Sequence, residues 1–142
     1  MKIDAHIHIF SNSVARDRNC FLDDPGFNLL YRSGKSHIST AHDALTYASG
    51  NGLDSLWAMG FCWSSVELCD RENERILSET NCNSVFTLFS PVSSIPDAAV
   101  KKRIRKAKKD GFRGIGEIAF YGCGLHLSLT DYCRAIFEAA CE

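Results

Sequence analysis

The first ten residues, MKIDAHIHIF (1–10), have the pattern of a β-strand with histidine at two alternate positions. Successive side chains of a strand point to opposite faces. Alternation therefore predicts an apolar face of Ile3, Ala5, Ile7 and Ile9 and a polar face of Lys2, Asp4, His6 and His8. Two imidazoles about 7 Å apart along one face can converge on a metal ion. The stretch thus predicts a metal-binding strand, and the alternative is a pair of histidines satisfied by ordinary hydrogen bonds.

The rest of the chain alternates strand-like and helix-like segments. Apolar runs predict strands at 53–63, 84–92 and 112–122, and amphipathic stretches predict helices at 39–52, 65–81, 95–111 and 127–142. Residues 10–38 read as a long irregular connection. Strands that alternate with helices favour a parallel sheet with helices packed outside it. We therefore expect one α/β domain over residues 1–142, built from four βα units.

Composition narrows the functional classes. The 142 residues are 45% hydrophobic and 23% charged with a formal net charge of −1, which gives no reason to expect nucleic acid or a membrane as partner. The basic run KKRIRKAKKD (101–110) fits the solvated face of an amphipathic helix. The seven cysteines have no CxxC spacing, and the polar-faced first strand with Asp4 argues against a signal peptide. These features predict a cytoplasmic protein with reduced cysteines.

Glu117 is the second candidate functional residue. It lies in RGIGEIAF (113–120), at the end of an otherwise apolar run. A carboxylate in such a place must be paired, bound to a metal or protonated. We predict a role in the active site, and the alternative is a salt bridge with Arg113 or a lysine. Weaker candidates follow other strand ends, where parallel α/β folds form their sites: Arg32, Lys35, Trp63, His126 and Asp131.

Five stretches together resemble the amidohydrolase-related family of metal-dependent enzymes. They are IDAHIHIF (3–10), the segment 23–45, GLDSLWAMGFCW (52–63), DRENERILSE (70–79) and GFRGIGEI (111–118). The resemblance implies a TIM barrel that holds one or two divalent ions, usually zinc, at the C-terminal ends of its strands. His6 and His8 match the metal ligands of the first strand, and Glu117 matches a strand-four glutamate that some members have.

The resemblance also implies a chemistry. Family members hydrolyse C–N or C–O bonds of small molecules by Lewis-acid catalysis, in which the ion acidifies water and polarises the scissile carbonyl. We therefore expect a metal-dependent hydrolase with Glu117 as metal ligand and catalytic residue. Two alternatives stay open. One is a nonoxidative decarboxylase of the same fold, helped by Arg32 or Lys35, and the other is a non-catalytic, self-associating module.

The length predicts only part of such a barrel. A (βα)₈ barrel needs about 250 residues, so four units correspond to its N-terminal half. The family's later histidines and its strand-eight aspartate would lie beyond Glu142. We therefore expect a fragment with weak metal binding and little activity, and self-association through its open sheet edges.

Overall fold

The computed structural model describes residues 1–119 and 130–142. Its strands are β1 (Ile3–His8), β2 (Ser55–Met59), β3 (Phe86–Ser90) and β4 (Gly114–Ile115). Its α-helices are α1 (Asn12–Arg16), α2 (Pro25–Tyr31), α3 (Ala41–Asn51), α4 (Val66–Thr80), α5 (Val100–Asp110) and α6 (Thr130–Ala140), with a 3₁₀ helix at Arg18–Phe21. The four strands form one parallel sheet in the order β1-β2-β3-β4. The predicted α/β architecture is confirmed at this level.

The helices α3, α4 and α5 pack on one face of the sheet. One apolar cluster joins these helices to the strands, and Ala107 of α5 packs against it. Its buried members are Ile9, Ala44, Ala48, Leu56, Ala58, Ile76, Leu88 and Phe112. Parallel crossovers are right-handed, so strands added in one direction place every crossover helix on the same face. The opposite face carries His6, His8 and the ring of Trp57, which is 40% exposed and lies 5.5 Å from that of Phe89.

Helix boundaries follow local chemistry. Thr40 and Asp43 form a reciprocal capping box at the start of α3, and Gly52 ends the helix with φ +61°. Ser65 accepts a hydrogen bond from the Leu68 amide at the start of α4. Residues within or next to each helix therefore set these boundaries.

The alternation predicted for β1 is wrong at Asp4. Asp4 is in register with Leu56, and Ile7 is in register with Ala58. The three residues of advance from Asp4 to Ile7 in β1 thus match only two in β2, from Leu56 to Ala58. Strand β1 therefore contains one extra residue, which is a β-bulge. Because Leu56 and Ala58 point to the same face of the sheet, Asp4 points there as well and leaves the histidine face.

The Asp4 carboxylate stabilises this irregularity. One oxygen accepts a hydrogen bond from the His6 backbone amide at 3.2 Å. The other lies 3.4 Å from the Tyr47 hydroxyl on α3. Asp4 therefore holds the backbone that carries His6.

Residues 10–38 form compact structure instead of the irregular connection that we predicted. Helices α1 and α2 and the 3₁₀ helix bring their apolar side chains together over the end of β2. The resulting buried cluster contains Phe10, Val14, Phe21, Phe27, Ile38, Phe61, Trp63 and Cys69. Trp63, a weak site candidate, is a core residue that is only 1% exposed.

The fourth strand is much shorter than the predicted 112–122. Pairing with β3 is limited to Gly114 and Ile115, and residues 120–122 lie outside the described part, as does the candidate His126. Glu117 therefore follows the strand and is not part of its ladder.

Basic side chains of α5 form ion pairs with acidic side chains of neighbouring segments. Lys101 pairs with Glu138, and Arg103 pairs with Asp70 and Asp97. Such exposed pairs contribute little to stability, but they account for the charge run as a helix surface. Among the described residues, no helix has the length and apolarity needed to cross a membrane.

Two glycines give a matched test of this packing. A Cβ at Gly114 would lie 2.6 Å from two Phe89 ring carbons, whereas a Cβ at Gly50, inside α3, would contact nothing within 4 Å. We expect Gly114→Ala to lower the free energy of unfolding by about 1–3 kcal/mol. We expect Gly50→Ala to raise it by about 0.5–1 kcal/mol. Urea denaturation measures both, and an unchanged Gly114→Ala would contradict the close approach of β4 to Phe89.

Candidate metal centre

The three predicted ligands meet at the C-terminal edge of the sheet. His8 is the last residue of β1 and His6 lies two residues before it, and Glu117 lies two residues beyond the end of β4. Their ligand atoms all lie within 4.8 Å of one another. The structure therefore brings the His6–His8–Glu117 group together from the first and last strands of the described sheet.

The distances within the group suit a metal ion. The His6 and His8 Nε2 atoms are 3.2 Å apart, and the Glu117 Oε2 lies 2.9 Å from His8 Nε2 and 3.9 Å from His6 Nε2. Ligand atoms bonded to one tetrahedral zinc at about 2.0–2.1 Å are separated by roughly 3.3 Å. The three measured separations lie around that value, so the group could hold a metal ion.

A hydrogen bond to a backbone carbonyl determines which ring nitrogen of His8 carries the proton. His8 Nδ1 lies 3.1 Å from the Gly60 carbonyl oxygen, which can only accept. In the neutral imidazole the proton therefore sits on Nδ1, and the Nε2 lone pair faces Glu117. A lone pair and a carboxylate at 2.9 Å repel unless a cation, either a proton or a metal ion, lies between them. The donor set thus fits a divalent cation.

An open cavity of about 160 Å³ adjoins the group. The described residues that line it are His8, Leu30, Tyr31, Phe61, Cys62, Glu117 and Ala119. Sequence reasoning missed this lining on α2, although Asp24, Pro25 and apolar residues at 27, 30 and 31 are a helix-start signal. The side chain of Asp24 caps α2 by accepting a hydrogen bond from the Phe27 amide.

Two protonatable residues of the cavity stay protonated at neutral pH. Burial, with a smaller contribution from the Glu117 charge, raises the pKa of the Tyr31 hydroxyl. Burial also raises the pKa of the Cys62 thiol to about 12. That thiol donates a hydrogen bond to the Glu117 backbone carbonyl. Cys62 therefore supports the Glu117 backbone and is no thiolate nucleophile.

The weaker candidates lie elsewhere. Arg32 and Lys35 are exposed and do not line this cavity, and Arg32 borders a separate depression on α2. The Asp131 side chain is 91% exposed and lies 3.4 Å from Arg134. None of these three is brought to the His6–His8–Glu117 group by the described part of the chain.

Comparison of the chain with protein-family models, with curated proteins and with solved structures finds no match. A functional assignment therefore rests on the residues of the site and their geometry.

Thiol labelling tests the state of Cys62. Iodoacetamide reacts with the thiolate, and a thiol with a pKa of about 12 has a thiolate fraction on the order of 10⁻⁴ at pH 8. We expect the exposed Cys82 and Cys141 to be alkylated in the folded protein. Cys62 and the buried Cys69 should be alkylated only after denaturation. Peptide mass spectrometry reads each position, and native labelling of Cys62 at the rate of Cys141 would refute the protonated, buried thiol.

Proposed function

We propose that this chain is a metal-dependent hydrolase of the amidohydrolase-related type, acting on a C–N or C–O bond of a small molecule. His6, His8 and Glu117 would hold the divalent ion, with zinc as the metal. The observation that carries the proposal is the convergence of three ligand atoms within 4.8 Å at the C-terminal strand edge. Two histidines and one glutamate are a donor set that catalytic zinc sites use, with a fourth position left for water or substrate.

The topology supports a barrel-type fold. Doubly wound sheets reverse their strand order and cover both faces with helices. This sheet runs in sequence order, and its packed helices lie on one face. We therefore interpret the four βα units as equivalent to the N-terminal half of a TIM barrel. The edges at β1 and β4 favour the self-association that the sequence predicts.

Each residue has a definable part in the proposed reaction. When bound, the ion supplies Lewis acidity, which acidifies water and polarises a carbonyl. His8 is oriented by its Nδ1 hydrogen bond to Gly60, so that its Nε2 lone pair points into the group. Glu117 contributes the negative charge and an oxygen that can hold a proton beside His8. Tyr31 and Phe61 would form apolar walls beside the bound substrate.

The decarboxylase alternative has less support. It calls for a cation to hold a carboxylate substrate, and neither Arg32 nor Lys35 lines the described cavity. A metal-binding module without activity remains the other outcome of the tests below.

Zinc titration tests the ligand set. We expect wild-type protein to bind one zinc ion through the group, and His8→Ala and Glu117→Gln each to weaken binding at least about tenfold, since each removes one donor. His42→Ala is the matched control, because it removes an exposed imidazole on α3 outside the group. Its dissociation constant should stay within about twofold of wild type. Absence of zinc binding in the wild type, or an equal loss in His42→Ala, would refute the ligand assignment.

Turnover assays test the reaction class. We expect zinc-loaded protein to hydrolyse an amide or lactone substrate at a low but measurable rate, and a chelator to abolish the activity. Glu117→Gln should lower the rate at least about 100-fold, because it removes a ligand of the Lewis acid. Release of CO₂ from a carboxylate substrate would favour the decarboxylase instead. Zinc binding without any turnover would favour the non-catalytic module.

A further inference from the structure

The cavity beside the His6–His8–Glu117 group is divided chemically into two parts. His8 and Glu117 form one end, and Leu30, Tyr31, Phe61, Cys62 and Ala119 form the rest of the described lining. None of those five side chains carries a formal charge at neutral pH. A charged substituent buried in that part would lose hydration without gaining an ion-pair partner among those five side chains, and such burial is costly. This part therefore favours an uncharged, apolar group.

The size of the cavity suits a ring. Its volume is about 160 Å³, and an apolar protein cavity of about 150 Å³ is known to hold benzene. Two of its walls are aromatic, Tyr31 and Phe61, whose ring centroids are 6.1 Å apart and nearly perpendicular. A substrate ring beside them can make edge-to-face or offset contacts, which add to the gain from burial.

The wall formed by α2 is held in place by contacts outside the cavity. Tyr31 stacks on Phe27 with centroids 4.8 Å apart, and Phe27 is fully buried. The Asp24 carboxylate, which caps α2, also accepts hydrogen bonds from the Ser64 amide and hydroxyl at 2.6 Å. The segment after β2 thus fixes the helix that carries Tyr31.

We propose that this cavity binds a ring-sized, uncharged apolar group of the substrate, and that Leu30 at its rim limits the size of that group. The inference rests on the proposed function, since it places the scissile bond at the His8–Glu117 end. It defines the substrate class as amides or esters that bear an apolar ring close to the carbonyl.

Adjacent leucines on α2 provide a matched pair for the test. Leu30 lines the cavity and is 43% exposed. Leu29 is 66% exposed and borders a different depression, with Asn28 and Arg32. Because both side chains are at the surface, replacing either with tryptophan should leave the fold intact. Only Leu30→Trp should fill the cavity.

Calorimetry of zinc-loaded protein compares benzohydroxamic acid with acetohydroxamic acid, which share a metal-binding group and differ by the ring. We expect wild type and Leu29→Trp to bind the phenyl compound at least about tenfold more tightly, from burial of the ring. Leu30→Trp should reduce that preference to less than about threefold. Equal preference in Leu29→Trp and Leu30→Trp, or no preference in the wild type, would overturn the proposal.

A second measurement needs no metal. Benzyl alcohol added to metal-free, isotope-labelled protein should shift the Leu30 methyl resonances saturably and leave those of Leu29 unchanged. If acetohydroxamate binds the zinc-loaded protein but benzyl alcohol does not shift Leu30, the ring site is refuted and the metal site stands. If zinc does not bind but Leu30 shifts, the ring site stands and the proposed function is refuted.

Discussion

The contact between the His8 imidazole and the Glu117 carboxylate connects the two ends of the sheet. His8 closes β1 and Glu117 follows β4, and their nearest atoms are 2.9 Å apart. Strands three positions apart in a flat sheet are separated by roughly 14 Å, and their side chains rise perpendicular to it. Because Glu117 lies beyond the ladder of β4, the contact requires the segment after β4 to return across the histidine face toward β1. The helices packed on the other face leave the histidine face accessible to this segment.

Two buried carboxylates hold the segment that covers this edge. Asp24 joins α2 to Ser64, as described above. Glu72, which is 2% exposed, accepts a hydrogen bond from Ser11 and pairs with Arg75 at 2.7 Å. Each carboxylate accepts hydrogen bonds from a distant part of the chain, and these bonds offset the cost of burying its charge. Both acids therefore serve the scaffold, whereas the Glu117 carboxylate faces two imidazoles.

Much of the fold could be predicted from the sequence because its signals are local. Apolar runs and capping residues such as Thr40 and Ser65 depend on nearby residues alone, and they give the order of strands and helices. The pattern of His6 and His8 predicts a metal-binding pair, and a carboxylate in an apolar run predicts an active-site role for Glu117. The resemblance to the amidohydrolase-related family adds Glu117 to the predicted ligands. The convergence of these residues depends on the path of the segment after β4 relative to β1, which local patterns do not encode.

Other features could not be predicted for the same reason. The structure of residues 10–38 depends on an aromatic cluster that includes Phe61 and Trp63 from beyond β2. Alternation through 120 would place Ile115 and Ile118 on opposite faces. In the structure both pack against one buried cluster, because the strand ladder ends at Ile115. That cluster joins α5 to α6 and contains Val92, Val100, Ile104, Tyr132, Ile136 and Ala139. Cavity residues such as Leu30 belong to a helix that only this tertiary packing positions.

The irregularity in β1 has an electrostatic consequence for the proposed centre. Strict alternation would have added the Asp4 carboxylate to the histidine face. The extra residue in β1 turns Asp4 toward Tyr47 instead, so Glu117 is the carboxylate of the group. Two neutral imidazoles and one carboxylate neutralise half the charge of a divalent ion. The remaining positive charge is what acidifies water and polarises a carbonyl. A second carboxylate would have reduced that charge to zero, so the position of Asp4 preserves the net positive charge on which the proposed chemistry depends.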